Sequence, residues 1–95
     1  MTGIEASVRI PSDVLYHELD GEAVLLNLQT GKYFGLDPTG TRIWHFLVEY
    51  HSLGMAYNRM LDEYDVDAET LKADLLRLVD QLVAHGLIQL ENDES

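Results

Sequence analysis

The sequence predicts an α+β fold, a three-stranded antiparallel sheet followed by three helices with the topology of a winged helix-turn-helix. Two observations carry that expectation. Between Val14 and Leu36 three apolar runs of strand length are separated by turn-forming residues. From Pro38 onward apolar residues recur at helical spacing instead, in three blocks with their own start and stop signals.

Residues Met1 to Ser12 have no clear period, although Val8 and Ile10 alternate with polar neighbours and suit a short extended segment before Pro11. The first few residues are expected to fray. Val14 to Leu19 alternates and is followed by Asp20-Gly21, a strong two-residue hairpin signal that sets Leu19 opposite Glu22, His17 opposite Val24 and Leu15 opposite Leu26. Ala23 to Leu28 is the second strand and Lys32 to Leu36 the third. Between these lies Gln29-Thr30-Gly31, read as a type I turn with a glycine bulge, which places Leu28 opposite Lys32, Leu26 opposite Phe34 and Val24 opposite Leu36. The expected buried face is therefore Leu15, Leu19, Val24, Leu26, Leu28, Phe34 and Leu36, with His17 falling on it. Leu25, Asn27, Tyr33 and Gly35 share the other face. In the order one, two, three the third strand is an edge with half of its backbone groups unpaired.

Asp37 is an N-cap and Pro38 suits the first helical position, so the first helix covers about Pro38 to Tyr50 with Ile43, Trp44, Leu47 and Val48 as its stripe. Gly40 in the first turn permits a close approach to the sheet. A second helix fits Leu53 to Tyr64 with Ser52 as cap and Ala56, Tyr57, Met60, Leu61 and Tyr64 recurring at helical spacing. The third starts at the Asp67 cap, carries Leu71, Leu75, Leu78, Val79 and Leu82, and stops at Gly86. Leu76 and Val83 widen its apolar sector. Leu87 to Leu90 looks extended, and the final ENDES is a solvated acidic tail.

At 95 residues the chain is one small domain. It has no cysteine, hence no disulfide, thiolate metal site or cysteine nucleophile, and a cytoplasmic location is expected. No secretory signal pattern is visible, and no apolar run approaches the ~20 residues of a membrane helix. Six Lys and Arg against 17 Asp and Glu give a net charge of -11, which repels a phosphate backbone and favours a basic peptide or protein, or simply solubility.

His17, His45, His51 and His85 are scattered, with no pair at metal-ligating spacing. The carboxylates lie mainly on exposed helix faces and at caps, the glycines form no phosphate-cradling loop, and no serine sits in a nucleophile elbow. Neither catalysis nor a cofactor nor a metal is indicated. Tyr33-Phe34 is open to two readings, core and surface filling or a recognition strip on the free edge.

The run VLLNLQTGKYFGLDPTGTRIW (residues 24–44), followed by EYDVDAETLKADLLRLVDQLVAHGLIQL (63–90), resembles the PqqD-like family of recognition elements for ribosomally made, modified peptides. The resemblance spans about Val14 to Leu90 and is strongest to the stand-alone leader-binding proteins of lasso peptide biosynthesis. It implies a single leader-binding domain over residues 1–95, with a core of about 14–90. It also implies a non-catalytic role, in which the leader of a precursor peptide adds as a strand to the third strand beside the third helix. The peptide-binding residues it implies are Tyr33, Phe34, Gly35, Leu36, Lys72, Asp74, Leu75, Leu76 and Val79. The implied partners are the precursor leader peptide, a separate transglutaminase-like cysteine leader peptidase and the ATP-dependent lasso cyclase, with no nucleic acid, no membrane and no cofactor.

Two alternatives remain at this stage. Within the family, the peptide is handed to a radical enzyme of pyrroloquinoline quinone biosynthesis. From another class, a winged helix-turn-helix DNA-binding protein shares the coarse topology, but its recognition helix wants basic residues, and here Glu69, Asp74 and Asp80 offset Lys72 and Arg77.

Overall fold

The computed structural model of the chain describes residues 6–91. In chain order these form β1 (Ser7–Arg9), β2 (Val14–Leu19), β3 (Glu22–Asn27), β4 (Lys32–Leu36), α1 (Pro38–Tyr50), α2 (Leu53–Glu63), α3 (Ala68–Ala84) and β5 (Gln89–Glu91). Strands β2, β3 and β4 make one antiparallel sheet in that order, and the three helices follow it, so the fold is the expected α+β one. β1 and β5 pair antiparallel as a second, two-stranded sheet, which gives the short extended segments around Val8 and Leu90 each other as partners. β1 is also tied to the junction of α1 and α2, through Val8 N–H to the His51 carbonyl at 2.9 Å and Leu53 N–H to the Ala6 carbonyl at 3.1 Å. The expected fraying of the first residues and most of the acidic tail lie outside the described residues; Glu91 is part of β5, 3.7 Å from Arg9.

The first hairpin follows its turn chemistry. Asp20 and Gly21 both take positive φ, 56° and 81°, as a two-residue turn matched to strand twist requires. Leu19 pairs with Glu22, His17 with Val24 and Leu15 with Leu26, as the sequence predicts.

The second hairpin departs from the expectation by one residue. Asn27, not Leu28, stands opposite Lys32, and Leu25 pairs with Phe34, Leu26 with Tyr33 and Ala23 with Leu36. The connection is thus the four residues Leu28 to Gly31. Its cause is the Asn27 side chain, whose Oδ1 accepts the amides of Gln29 at 2.9 Å and Thr30 at 3.3 Å and so starts the turn at Asn27. A one-residue slip exchanges faces. The buried face is Ala23, Leu25, Asn27 and Leu36, while Leu15, His17, Leu19, Val24 and Leu28 are exposed on the face expected to be covered.

The helices begin at their predicted caps. Asp37 Oδ1 accepts Gly40 N–H at 2.7 Å, Ser52 Oγ accepts Met55 N–H at 3.3 Å and Asp67 Oδ2 accepts Thr70 N–H at 3.0 Å. α1 lies on the sheet at close range. A Cβ on Gly40 would stand 3.3 Å from the Leu36 side chain, and Thr41 Oγ1 accepts Ala23 N–H at 3.0 Å and donates to the Leu36 carbonyl at 3.4 Å. On α1, Phe46 is buried where Val48 was expected; it stacks with Tyr50 at 6.3 Å and lies under the Arg42 guanidinium, leaving Val48 exposed. α3 ends in a Schellman turn, with Gly86 at φ 72° and Leu87 N–H bonded to the Leu82 carbonyl at 2.9 Å. Leu25, Leu47, Leu53, Leu75, Val79 and Leu82 are fully buried at 0 % exposure, each contributing about 1.5–3 kcal/mol of hydrophobic stabilisation.

Candidate peptide-binding site

The free edge of β4 can be assigned residue by residue. Asn27 C=O accepts Gly31 N–H on the β4 side, whereas Leu28 N–H donates to Asp13 C=O on the β2 side, so odd residues of β3 direct their backbone groups to β4. Their partners Lys32, Phe34 and Leu36 point back into the ladder. Alternation then leaves the N–H and C=O of Tyr33 and Gly35 facing outward. Neither residue is charged, Gly35 is exposed with open space where a Cβ would stand, and Tyr33 is 70 % exposed. These two residues offer donors and acceptors and bring no charge of their own to repel another strand.

Beside the edge runs α3. Phe34, half-buried on the inner face, lies against the His85 ring with centroids 4.9 Å apart, and Leu71 and Asp74 share a cavity with Pro38 and Thr39 just beyond the end of β4. The flank of α3 nearest β4 is therefore the row Asp74, Leu78, Gln81 and His85, spaced by three and four residues, with Leu71 at its upper end. Leu78 is half-buried on that row.

A cavity lies at each end of β4. The one near Leu36 measures about 380 Å³ and is mainly apolar, with Met60, Leu71, Tyr64 and Val66 in its lining and Arg42 at its margin. Arg42 is fixed there by Nε–H to the Tyr64 hydroxyl and Nη2–H to Glu63 Oε1, both at 3.1 Å, and the tyrosine bond lifts the guanidinium pKa above its ordinary value. The cavity near Lys32, about 850 Å³ and more polar, is lined among others by Arg9, Asn27, Lys32, His85 and Gln89.

Asn27 joins the two walls. Besides holding the β3–β4 turn, its Nδ2 donates to the carbonyls of His85 at 3.3 Å and Gly86 at 3.1 Å, so the turn and the end of α3 are pinned to one side chain. Any Cβ at position 86 would sit 2.8 Å from that nitrogen, a second reason for glycine there. The sequence signal for this role was available: an asparagine immediately before a turn commonly bonds the amides that follow it.

The residues expected in the site do not all meet. Tyr33 and Gly35 are at the open edge, Phe34 is half-buried beside α3, and Leu36 is buried beneath α1. Leu75 and Val79 are wholly inside the core. Asp74 faces the apolar cavity and pairs with Arg77 at 2.6 Å, whereas Leu76, two residues on and so about 200° around the helix axis, lies on the opposite flank with Lys72. Leu76 and Asp74 therefore cannot line one groove. α3 carries half-buried leucines on both flanks, Leu78 on one and Leu76 on the other, which is why its own pattern does not reveal which one borders β4; Leu71, Leu78 and His85 are the α3 residues beside β4 to which the sequence did not point. Among the described residues, no three His, Asp or Glu side chains converge as a metal site, and no helix is long and apolar enough to cross a membrane.

A small sheet with one bare edge bordered by a helix is the architecture of a peptide-receiving module. The chain belongs to the PqqD family: the model of the coenzyme PQQ synthesis protein D (PqqD) matches residues 22–88. Two solved structures share its fold closely. TbiB1 in complex with the TbiA(beta) leader peptide is 38 % identical, with a TM-score of 0.78 over 92 % of this chain and 99 % of that one. A lasso peptide synthetase B1 complexed with the leader peptide is 26 % identical, with a TM-score of 0.77 over 88 % of this chain and 99 % of that one. No curated protein matches the sequence.

Proposed function

We propose that this chain is a single non-catalytic domain over residues 1–95, with its core at about 14–90. It recognises the leader segment of a ribosomally made precursor peptide and delivers it to a separate leader peptidase in lasso peptide biosynthesis. The leader adds as a strand to β4 beside α3. The observation that carries this reading is the uncharged, outward-facing backbone of Tyr33 and Gly35 next to a helix-bordered groove, in a chain whose structural relatives are leader-peptide complexes. The implied partners are the precursor, a transglutaminase-like cysteine peptidase and the ATP-dependent lasso cyclase, in the cytoplasm.

Magnitudes say what the leader must contribute. Tyr33 and Gly35 provide two donors and two acceptors, together about 4 kcal/mol at ~1 kcal/mol per net hydrogen bond. A micromolar complex needs about 8 kcal/mol, before the entropy of ordering the peptide is counted. Apolar side chains of the leader must therefore seat in the groove between Phe34 and the Leu71–Leu78 flank, and in the apolar cavity beyond Leu36.

Titrating isotopically labelled protein with the leader of the precursor encoded beside this gene tests the reading. Amide shifts should concentrate at Tyr33, Gly35 and the Asp74–His85 row. Leu78→Ala should weaken binding about tenfold, equivalent to ~1.4 kcal/mol, with Leu76→Ala within twofold of the parent. Shifts confined to β1 or α2 would exclude strand addition. The reverse order of the two leucines would move the leader to the other flank of α3. Precursor should stay intact with the protein alone and be cleaved once the peptidase is added.

A further inference from the structure

The outer face of the β2-β3-β4 sheet is apolar and uncovered. Leu15, Leu26 and Tyr33 form one cross-strand row, His17, Val24 and Gly35 lie in the row on one side of it, and Leu28, opposite Asp13, lies just past the end of β3 on the other. Leu15 is 51 % exposed, Leu28 54 % and Leu19, at the far end of β2, 69 %. The helices pack on the opposite face, through Ala23, Leu25 and Leu36. A contiguous apolar surface on a small acidic protein signals an interaction site.

What fits it follows from its rim and its neighbour. Asp13 and Glu22 share the outer face by strand alternation, and Asp20 sits in the turn at its end, so the apolar patch is flanked at both ends of the β2–β3 ladder by acidic groups. A second copy laid face to face would bring these rims together in a chain of net charge -11, which like-charge repulsion disfavours. The patch also runs directly into the β4 edge, because Tyr33 and Gly35 belong to both. A peptide strand added there would widen this same face by one strand, and every second peptide side chain would project from it beside Tyr33 and Gly35.

We propose that this face docks the enzyme that consumes the bound leader, through an apolar surface with a basic rim on that enzyme, so that protein and leader strand are read as one sheet. The proposal rests on the leader-binding reading given above. Delivery is then a matter of shared surface: the enzyme meets Leu15, Val24 and Leu26 together with the outward side chains of the leader, and its affinity for the loaded module exceeds that for the empty one.

The test uses the full chain, the fluorescently labelled leader, the intact precursor and the purified leader peptidase encoded with them. The double variant Leu15→Thr/Leu26→Thr keeps β-favouring residues on the outer face. Leu19→Lys, at a position with ample exposure, is the second variant should the first melt early. For whichever is folded, leader affinity should stay within twofold of the parent while cleavage at limiting module concentration falls at least tenfold. Added salt should reduce cleavage by the parent. Equal cleavage by variant and parent at equal leader affinity overturns the docking proposal alone. Failure of the parent to bind leader overturns the functional reading and the proposal with it. A dimer in sedimentation velocity that the variants abolish with cleavage intact would assign the face to a second copy, and overturn the proposal.

Discussion

The two edges of the sheet are built from the same kind of backbone and treated in opposite ways. At the β2 edge the residues whose backbone groups face outward are Val14, Tyr16 and Glu18, and each has something to do: Val14 N–H bonds the Pro11 carbonyl at 3.2 Å, and Tyr16 and Glu18 reach over to α1. Tyr16 stacks on Trp44 and donates its hydroxyl to Glu18, whose carboxylate also meets His45 Nε2 at 2.8 Å. A carboxylate and an aromatic ring held against a helix make that edge a poor template for another strand. At the β4 edge Tyr33 and Gly35 carry no charge and no tether. The difference teaches that side chains, not backbone, set the two edges apart: β2 carries a tethered carboxylate and ring beside its outward backbone groups, and Tyr33 and Gly35 of β4 carry neither.

The largest effect expected on this contrast comes from the residue that sets the distance between the β4 edge and α3. Asn27→Ala removes both amides of the turn and both carbonyls of the helix end from their partners, and should destabilise the domain by about 2–3 kcal/mol in a denaturant melt while weakening leader binding as the walls separate. Asn27→Asp retains the acceptor for the turn but sets a carboxylate oxygen against the two carbonyls, so it should destabilise at least as much as Asn27→Ala. A melt of Asn27→Ala indistinguishable from the parent would remove the staple.

Next in size is a direct closure of the open edge. Gly35→Pro deletes an outward N–H without breaking a β3 hydrogen bond, so leader affinity should drop about tenfold (~1.4 kcal/mol) with the fold retained. The matched change on the other edge, Tyr16→Phe, should leave leader affinity unchanged. Equal losses from both would end the distinction between the edges.

The smallest expected effect is on the guard itself. Burial, reinforced by the bond to Glu18, pushes the Tyr16 hydroxyl up to about 12, while the bonds from Tyr16 and His45 hold the Glu18 carboxyl below its usual value. The tyrosine therefore favours the folded state below pH ~10, and that contribution fades as pH rises from about 10 through 12. The glutamate acts in the opposite direction, contributing above its unfolded pKa and losing that contribution as pH falls through its lowered folded one. In an ultraviolet titration of the phenolic groups, Tyr16→Phe should remove the component that ionises near pH 12. A titration whose late component survives that substitution would show that the guard is not formed.

Local chemistry determined much of this molecule. Asp20-Gly21 encodes its own turn and with it the β2–β3 register; Asp37-Pro38, Ser52 and Asp67 each start a helix because a side-chain oxygen and a backbone amide within the same few residues satisfy each other. Tyr33 to Leu36 as a terminal strand follows from strand order alone. The resemblance carried by residues 24–44 and 63–90 reached the family for the same reason, since those stretches contain the turn, cap and stripe residues that specify the elements.

Tertiary structure decided what depends on distant partners. β3 reads apolar on both faces, so its sequence holds no preference between Leu25 and Leu26; the choice was made by Asn27 finding the carbonyls of His85 and Gly86, and by Thr41 bridging Ala23 and Leu36. Those contacts join residues up to 59 positions apart. The flank of α3 that borders β4 is set likewise, by Phe34 meeting His85 and Asp74 joining the cavity with Pro38, because a helix with half-buried leucines on both sides of its core stripe takes its orientation from what it packs against and not from its own period.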